Sequence, residues 1–349
     1  MKKNFILLFI TIIPILPFNL FAQSKLTVEV KEAGKLLTQL DGKGEQIKEL
    51  TVLGKINYTD FETMKKMICK GKLTDLNLEK TSYVYEPSNE DNRIPSRAFS
   101  ECDKLESIIL PESIEGISGM AFEKCSNLKS VKFPSTLSFI DIMAFQSCTS
   151  LTEINLPNNP IKLWYASFWG CTSLKSIVFP EGCYIGKNAF SYCTLDEIFL
   201  PANYECISPE AFNRSCEIKT IYCQGGPTNC IADNSFSDWI KNNATVHIPI
   251  GTMEKYTSWE TTCWSDFKLF QEYKVPTSNQ YIFSHSTQIT PKYKSLSITT
   301  NETSNISIYT LNGHLVFCEN ITPGVITIPL QSGFYVVKTN GICNKIIIK

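Results

Sequence analysis

Histidine is nearly missing from this chain. Its three copies among 349 residues, His247, His285 and His314, lie far apart in sequence, which argues against a histidine-rich metal site or a histidine-centred triad. An excess of charge of one sign is lacking as well. Lys+Arg 33 against Asp+Glu 34 leaves a formal net charge of -1, with no basic stripe to attract phosphate backbones or anionic lipid, so nucleic acid is not an expected partner. The GxSxG elbow, HExxH, the P-loop, GxGxxG and any CxxC pair are all missing. Zinc of ligand spacing is thereby excluded from the expectations, no catalytic residue, metal or cofactor is assigned, and the chain is read as no enzyme. At 43% hydrophobic and 19% charged it is nevertheless no disordered chain, and it is long enough for a large core or several small domains.

Apolar runs long enough to cross a bilayer are also absent. The longest, Phe5 to Phe18, is broken by Pro14 and Pro17, follows Lys2 and Lys3, and ends at Leu20-Phe21-Ala22. Residues 1–22 therefore read as a secretory signal peptide cut after Ala22, with no cysteine behind the cut to carry a lipid.

What is present is a repeat. Ala98-Phe99, Ala121-Phe122, Ala144-Phe145, Ser167-Phe168, Ala189-Phe190, Ala211-Phe212 and Ser235-Phe236 recur every 22 to 24 residues. A cysteine follows at Cys102, Cys125, Cys148, Cys171, Cys193 and Cys216, and then a strand-like segment such as Leu105 to Pro111. Its inward residue recurs as Ile108, Val131, Ile154, Ile177, Ile198 and Ile221, and the register extends to Leu50 and Leu76 before them and to Val246 and Leu269 after. One unit of this size cannot bury its own apolar side, so units must stack into a solenoid of parallel strands with a phenylalanine column behind them. Pro111, Pro134, Pro157, Pro180 and Pro201 end the strands, since proline has no N–H for the ladder.

The recurring Ala-Phe, the three-residue step to Cys, then Leu, Ile and Leu-Pro, resemble the BspA-like leucine-rich repeats of bacterial surface proteins. Residues 93–275 are read as these repeats with a terminal coil, and residues 23–92 as an N-terminal cap with first repeats. Departures fall at Cys223 and Gln224, which stand where Leu and Pro are expected, and Gly225-Gly226 is the expected irregularity. Residues 276–290 read as a linker. Residues 291–349 alternate apolar and polar residues around Asn312-Gly313 and read as a small all-β sandwich. The end, from Gly333-Phe-Tyr-Val-Val to Lys345-Ile-Ile-Ile-Lys, resembles the C-terminal sorting domain of type IX secretion, with His314 where that family usually has Arg.

Six of the 14 cysteines occupy one repeat position and read as reduced core thiols, since free cysteine is among the most buried residue types. Cys206 with Cys230, which precede inward residues of neighbouring coils, and Cys318 with Cys343 are candidate disulfides.

Binding is the function this pattern favours, because a repeat rod displays one face of a sheet over a long distance. Residues flanking the inward column face outward, and Val178, Phe199 and Tyr222, with Glu153 and Glu197 beside them, form a candidate partner surface on the concave face. Trp164, Trp169 and Tyr192 break columns that are otherwise small or polar and form a second candidate, an exposed aromatic patch. The resemblance implies a secreted adhesion protein, a monomer on the outer surface of a Gram-negative cell, bound to host, matrix or cell-surface proteins. A glycan-binding surface protein using the aromatic patch is the alternative.

Overall fold

The computed structural model describes residues 24–84, 92–214, 217–227, 231–258, 263–273 and 275, and then 282–283, 287–292, 295–300, 304–310, 315–322, 324–330, 333–339 and 342–348. The expected signal peptide lies outside the described residues.

The N-terminal cap is built from strands Lys25–Val30 and Glu49–Ile56, the short helix Leu36–Leu40, and the helix Tyr58–Cys69. Asn57 and Asp60 start the longer helix with a capping box, in which the Asn57 side chain accepts from the Thr59 N–H and Asp60 accepts from the Asn57 N–H. Asp60 is fully buried and also accepts from the N–H groups of Gly34 and Leu36 at 2.7 and 2.9 Å, so one carboxylate pins the loop before the helix to its first turn.

Behind the cap each coil has three sides. The first carries a parallel strand, paired in one sheet from Lys25–Val30 through Ser107–Ile109 to Ser130–Lys132, and in another from Ser176–Val178 to Leu269–Tyr273. Between them, residues 151–157 form no strand, although Ile154 and Leu156 stay buried; packing holds that coil where pairing does not. The second side is a six-stranded parallel sheet of two-residue strands, running from Arg93–Ile94 to Cys206–Ile207. Inward residues of the first side align as Leu50, Leu76, Ile108 and Val131, and as Ile177, Ile198, Ile221 and Val246. At the last rung the register corrects the sequence reading. Val246 pairs with Phe270, which packs against the core, while Leu269 lies opposite Thr245 and is 46% exposed.

The third side is the phenylalanine turn, and it supplies a hydrogen-bond ladder of its own. In the first coil Ala98, Ser100 and Cys102 donate their N–H groups back three residues, whereas Arg97, Phe99 and Glu101 donate theirs to Gly119, Ala121 and Glu123 of the next coil. This alternation requires positive φ two residues before and two after each ring: Arg97 and Glu101, Met120 and Lys124, Met143 and Ser147, and onward to Glu210 and Arg214. A left-handed non-glycine residue costs roughly 1 kcal/mol or more, a cost offset here by the hydrogen bonds that the turn's N–H groups make within and between coils. The rings from Phe99 to Phe236 stack at centroid distances of 4.9 to 5.6 Å, closed by Phe61 at one end and by Trp264 and Phe267 at the other. Full burial of each ring contributes on the order of 2–3 kcal/mol.

Gly225 is where the terminal coils depart from the pattern, as the sequence anticipates. A Cβ there would lie 2.6 Å from the Ala202 carbonyl oxygen, so only glycine allows the two backbones to approach; the Tyr256 hydroxyl donates to the Gly225 carbonyl at 2.7 Å.

The C-terminal part forms two antiparallel four-stranded sheets around Leu296, Ile298, Ile306, Ile308, Ile328, Leu330 and Val337. Two sequence expectations change here. Strand Ile282–Phe283 pairs with Thr287–Lys292, which pairs in turn with Ser295–Thr300, so the segment read as a linker, 276–290, already contributes to this sheet. The Cys318–Cys343 bridge is also excluded. Cys318 is a free thiol on one edge of its sheet, in line with Ser307, Lys338 and then Cys343 on the opposite edge. Three strand spacings of ~4.8 Å separate the two backbones, beyond disulfide reach.

Candidate functional site

The sheet from Ser176–Val178 to Leu269–Tyr273 gathers the concave-face candidates. Because alternate strand residues point to opposite faces, the residue after each inward isoleucine is presented outward, and the register sets Val178, Phe199, Tyr222 and His247 side by side. Phe199 and Tyr222 stack at 4.7 Å and 6°, Tyr222 and His247 at 4.7 Å and 25°, and Tyr273 meets both Tyr222 and His247 edge-on at 6.2 Å. The stacking distance equals the strand spacing of ~4.8 Å, so the backbone ladder itself holds the rings in contact. Val178 ends the row, 43% exposed, whereas Tyr222 and His247 are both buried, 7% exposed. Burial, with the Glu197 carboxylate nearby, pushes the Tyr222 phenol up to about 12, so it stays a neutral donor at any ordinary pH.

Glu197 precedes the inward Ile198 on this sheet, flanked in register by Ser176 and Thr220. Glu153 belongs to the strandless coil before the sheet. The earlier half of the concave side is polar by contrast. There the column that the later coils fill with rings holds Asn77, Ile109 and Lys132, the last paired with Glu79, and in the column beside it Ser107 donates to Asp75.

The aromatic patch expected from Trp164, Trp169 and Tyr192 resolves into two clusters on different sides of the coil. Trp164 follows the strand Lys162–Leu163 on the second sheet, 39% exposed, 5.4 Å from the Tyr184 ring and with the Lys162 ammonium 6.0 Å from its centroid. It borders a cleft of about 450 Å³, lined also by Arg93, Phe139, Asp141, Lys162 and Glu205. The Arg93 guanidinium lies 4.6 Å over Phe139, and Phe139 occupies the space above Gly116. Trp169 and Tyr192 stand on the phenylalanine turn, 4.9 Å apart, with the Arg214 guanidinium over Tyr192 at 5.7 Å and donating to its hydroxyl. Tyr192 is 40% exposed because it occupies a left-handed position of the turn, φ 61, whose side chain is directed away from the core.

His247, Tyr273, Tyr184 and Arg214 escaped the sequence reading. The signal for His247 was the residue after the inward Val246; the others follow only once register and neighbouring coils are known.

The column cysteines do more than fill space. The thiols of Cys125, Cys148, Cys171 and Cys193 donate to the carbonyl oxygens of Phe99, Phe122, Phe145 and Phe168 in the preceding coil at 3.1 to 3.3 Å. Burial pushes the Cys125 thiol up to about 12 and those of Cys148 and Cys171 well above the ordinary value. Cys206 is disulfide-bonded; its expected partner Cys230 lies outside the described residues, as does Cys216. Among the described residues no group of three or more His, Cys, Asp or Glu could hold a metal ion, and no helix is long and apolar enough to cross a membrane.

No curated protein matches the chain. Among solved structures it is similar to the pneumococcal vaccine antigen PcpA, at 16% identity over 72% of this chain and 56% of that one, with a TM-score of 0.43. It is similar also to a leucine-rich repeat protein of T. pallidum, at 18% identity over 64% of this chain and 79% of that one, TM-score 0.36. A leucine-rich repeat protein from Bacteroides ovatus gives 18% identity over 72% and 66%, TM-score 0.34. The chain thus spans little more than half the length of the PcpA structure. The family model for the BspA type leucine rich repeat region matches six copies, over residues 92–216 and 183–315. With that match over more than half its length, and with the coils, rings and register described above, the chain belongs to the BspA-type leucine-rich repeat family.

Proposed function

We propose that the protein is an exported, non-enzymatic surface protein that binds a protein partner through the aromatic row, whose accessible end is Val178 and Phe199 and whose buried Tyr222 and His247 back it as a stack. The observation that carries this reading is the stack itself. Side chains that must be ordered on binding cost about 0.5–1.5 kcal/mol each, and rings already held at the strand spacing avoid that cost. Aromatic residues dominate the energetics of protein interfaces, and Glu153 and Glu197 nearby favour a partner that presents an apolar or aromatic residue together with Lys or Arg. In this reading the protein acts as a monomer at the outer surface of a Gram-negative cell, with the C-terminal β-domain as its sorting element.

The test is a binding screen of the exported chain against matrix and cell-surface proteins, with Phe199→Ala and Tyr222→Ala beside the parent. Loss of about 2 kcal/mol at either ring, roughly thirtyfold in Kd, is expected. Retained affinity in the double variant, with an unchanged unfolding midpoint, would remove the row as the binding face.

The cleft beside Trp164 favours a second reading, in which a glycan is held against Trp164 with Lys162 and Glu205 as polar partners. Retention on a glycan array that survives Trp164→Ala would exclude it. Trp169→Ala in the same array tests the turn cluster separately.

A further inference from the structure

The column of thiols begins at Cys102, and the cap treats that position differently from the four described ones that follow. Cys125, Cys148, Cys171 and Cys193 each find a phenylalanine carbonyl in the coil before them. Cys102 has no earlier phenylalanine turn beneath it. In that place stands the end of the helix Tyr58–Cys69, and its last residue offers a sulfur: the Sγ atoms of Cys69 and Cys102 lie 3.5 Å apart. The neighbourhood is held together on both sides of the pair. Lys104 donates to the carbonyl oxygens of Cys69 and Gly71 at 3.2 and 3.1 Å, Lys65 donates to the Arg97 carbonyl at 3.0 Å, and Phe61 meets Phe99 edge-on at 5.7 Å.

Accessibility is divided between the two sulfurs. Cys69 is exposed, whereas Cys102 and the thiols stacked beyond it are buried. Any exchange with an external disulfide must therefore begin at Cys69. Two sulfurs at this separation need approach by only about 1.5 Å to reach bonding distance, a displacement available to side-chain rotation at a helix end. The chain also contains a disulfide at Cys206, so its folded state is compatible with an oxidising compartment.

We propose that Cys69 and Cys102 form a disulfide that clips the N-terminal cap helix to the first coil, with Cys69 as the entry point and Cys102 as the resolving thiol. The oxidant is an external disulfide, R–S–S–R, of an exported thiol oxidase or a small molecule. The Cys69 thiolate attacks one sulfur, one R–SH leaves after taking up a proton, and a mixed disulfide remains on Cys69. Cys102 then gives up its thiol proton as its sulfur attacks the Cys69 sulfur, and the second R–SH leaves with that proton. Two thiol protons end on two leaving thiols, the protein pair loses two electrons, and R–S–S–R gains them. The bond closes a chain separation of 33 residues between the cap and the solenoid, which limits opening at the end of the rod where the core would otherwise be reached first. This clip stands independently of the binding reading.

The experiment treats the reduced full chain with oxidised glutathione, blocks remaining thiols with iodoacetamide, and maps peptides without reduction. A Cys69–Cys102 linked peptide is expected, about 2 Da lighter than the two reduced peptides together, while Cys125, Cys148 and Cys171 are alkylated only after unfolding. The thermal midpoint of the parent is expected to rise on oxidation by several degrees, and that of Cys69→Ser to stay where it was. Recovery of Cys69 as a lasting glutathione adduct, or alkylated beside a free Cys102, would overturn the clip. Since Cys69 is exposed, Cys69→Ser is expected to fold, and a linked peptide joining Cys102 to any other cysteine in the parent would equally refute the assignment.

Discussion

Alkaline solution is expected to dismantle this rod far earlier than its surface charge would suggest, because so many of its thiols are buried. Cys102, Cys125, Cys148, Cys171, Cys183, Cys223 and Cys263 all have thiols pushed above 9.0 by burial, to about 12 for Cys125, Cys183, Cys223 and Cys263. In the folded chain they keep their protons; in the unfolded chain they ionise near 9.0. Above that pH the unfolded state binds fewer protons than the folded one, so stability that is fully present below pH 9 is lost as pH rises. At pH 10 each such thiol contributes a loss of RT ln 11, about 1.4 kcal/mol, whatever the height of its folded pKa provided that it exceeds about 11. Seven of them remove about 10 kcal/mol, comparable with the whole stability of a typical domain. Tyrosines whose burial raises them, such as Tyr256 and Tyr273, add little until pH passes 10.

The assay is urea denaturation of the full chain, followed by tryptophan fluorescence and circular dichroism under argon at pH 7, 8, 9 and 10. Stability is expected to stay level to about pH 8.5 and then to fall steeply, with the unfolded chain absorbing as thiolate. Cys148→Ala isolates one contribution: whatever the variant costs at pH 7, its loss between pH 7 and 10 should be smaller than the parent's by about 1.4 kcal/mol. A parent whose stability drops by less than about 2 kcal/mol over that range would refute the reasoning. Either the thiols are reachable by water in the folded state, or they do not carry protons there.

Phe145→Ala removes a ring from the middle of the stack, with neighbours at 4.9 and 5.2 Å on either side, and is expected to cost about 3–5 kcal/mol in the same assay. A cost below about 1 kcal/mol would mean that the column is not close-packed. Gly225→Ala forces a Cβ against the Ala202 backbone and should lower the thermal midpoint, whereas Gly226→Ala meets nothing within 4 Å and should leave it nearly unchanged; equal effects would contradict the close approach. Lys241, buried in the terminal coil, donates to Asp266 at 2.8 Å and to the Asp233 carbonyl. Lys241→Met is expected to cost about 1–3 kcal/mol, and an unchanged urea midpoint would show that the pair is not holding that coil.

The period of the chain was legible because stacking repeats one apolar pattern in register, and every copy of the phenylalanine, the cysteine and the inward aliphatic residue is a separate vote for the same alignment. Where the vote is single, the register slips, as at Leu269 and Phe270, where either apolar residue satisfies an alternating strand and only contact with Tyr256 and the last rung distinguishes them. The turn geometry left almost no trace in the sequence. Of the twelve left-handed positions flanking the rings from Phe99 to Phe212, Gly170 is the one glycine, and Met120, Met143 and Tyr192 are residues that local preference would keep out of that conformation. The inter-coil ladder imposes the conformation from outside, so propensity cannot reveal it. The same holds for function. Val178, Phe199 and Tyr222 could be named from alternation alone, since two faces of a strand are a local property. That Tyr222 is clasped between Phe199 and His247, that Trp164 parts from Trp169, and that Cys69 meets Cys102 are facts about which coil lies on which. A solenoid writes its core into each repeat but assembles its sites across repeats, and for that reason a column of odd residues in an otherwise uniform alignment is the most informative mark that such a sequence carries.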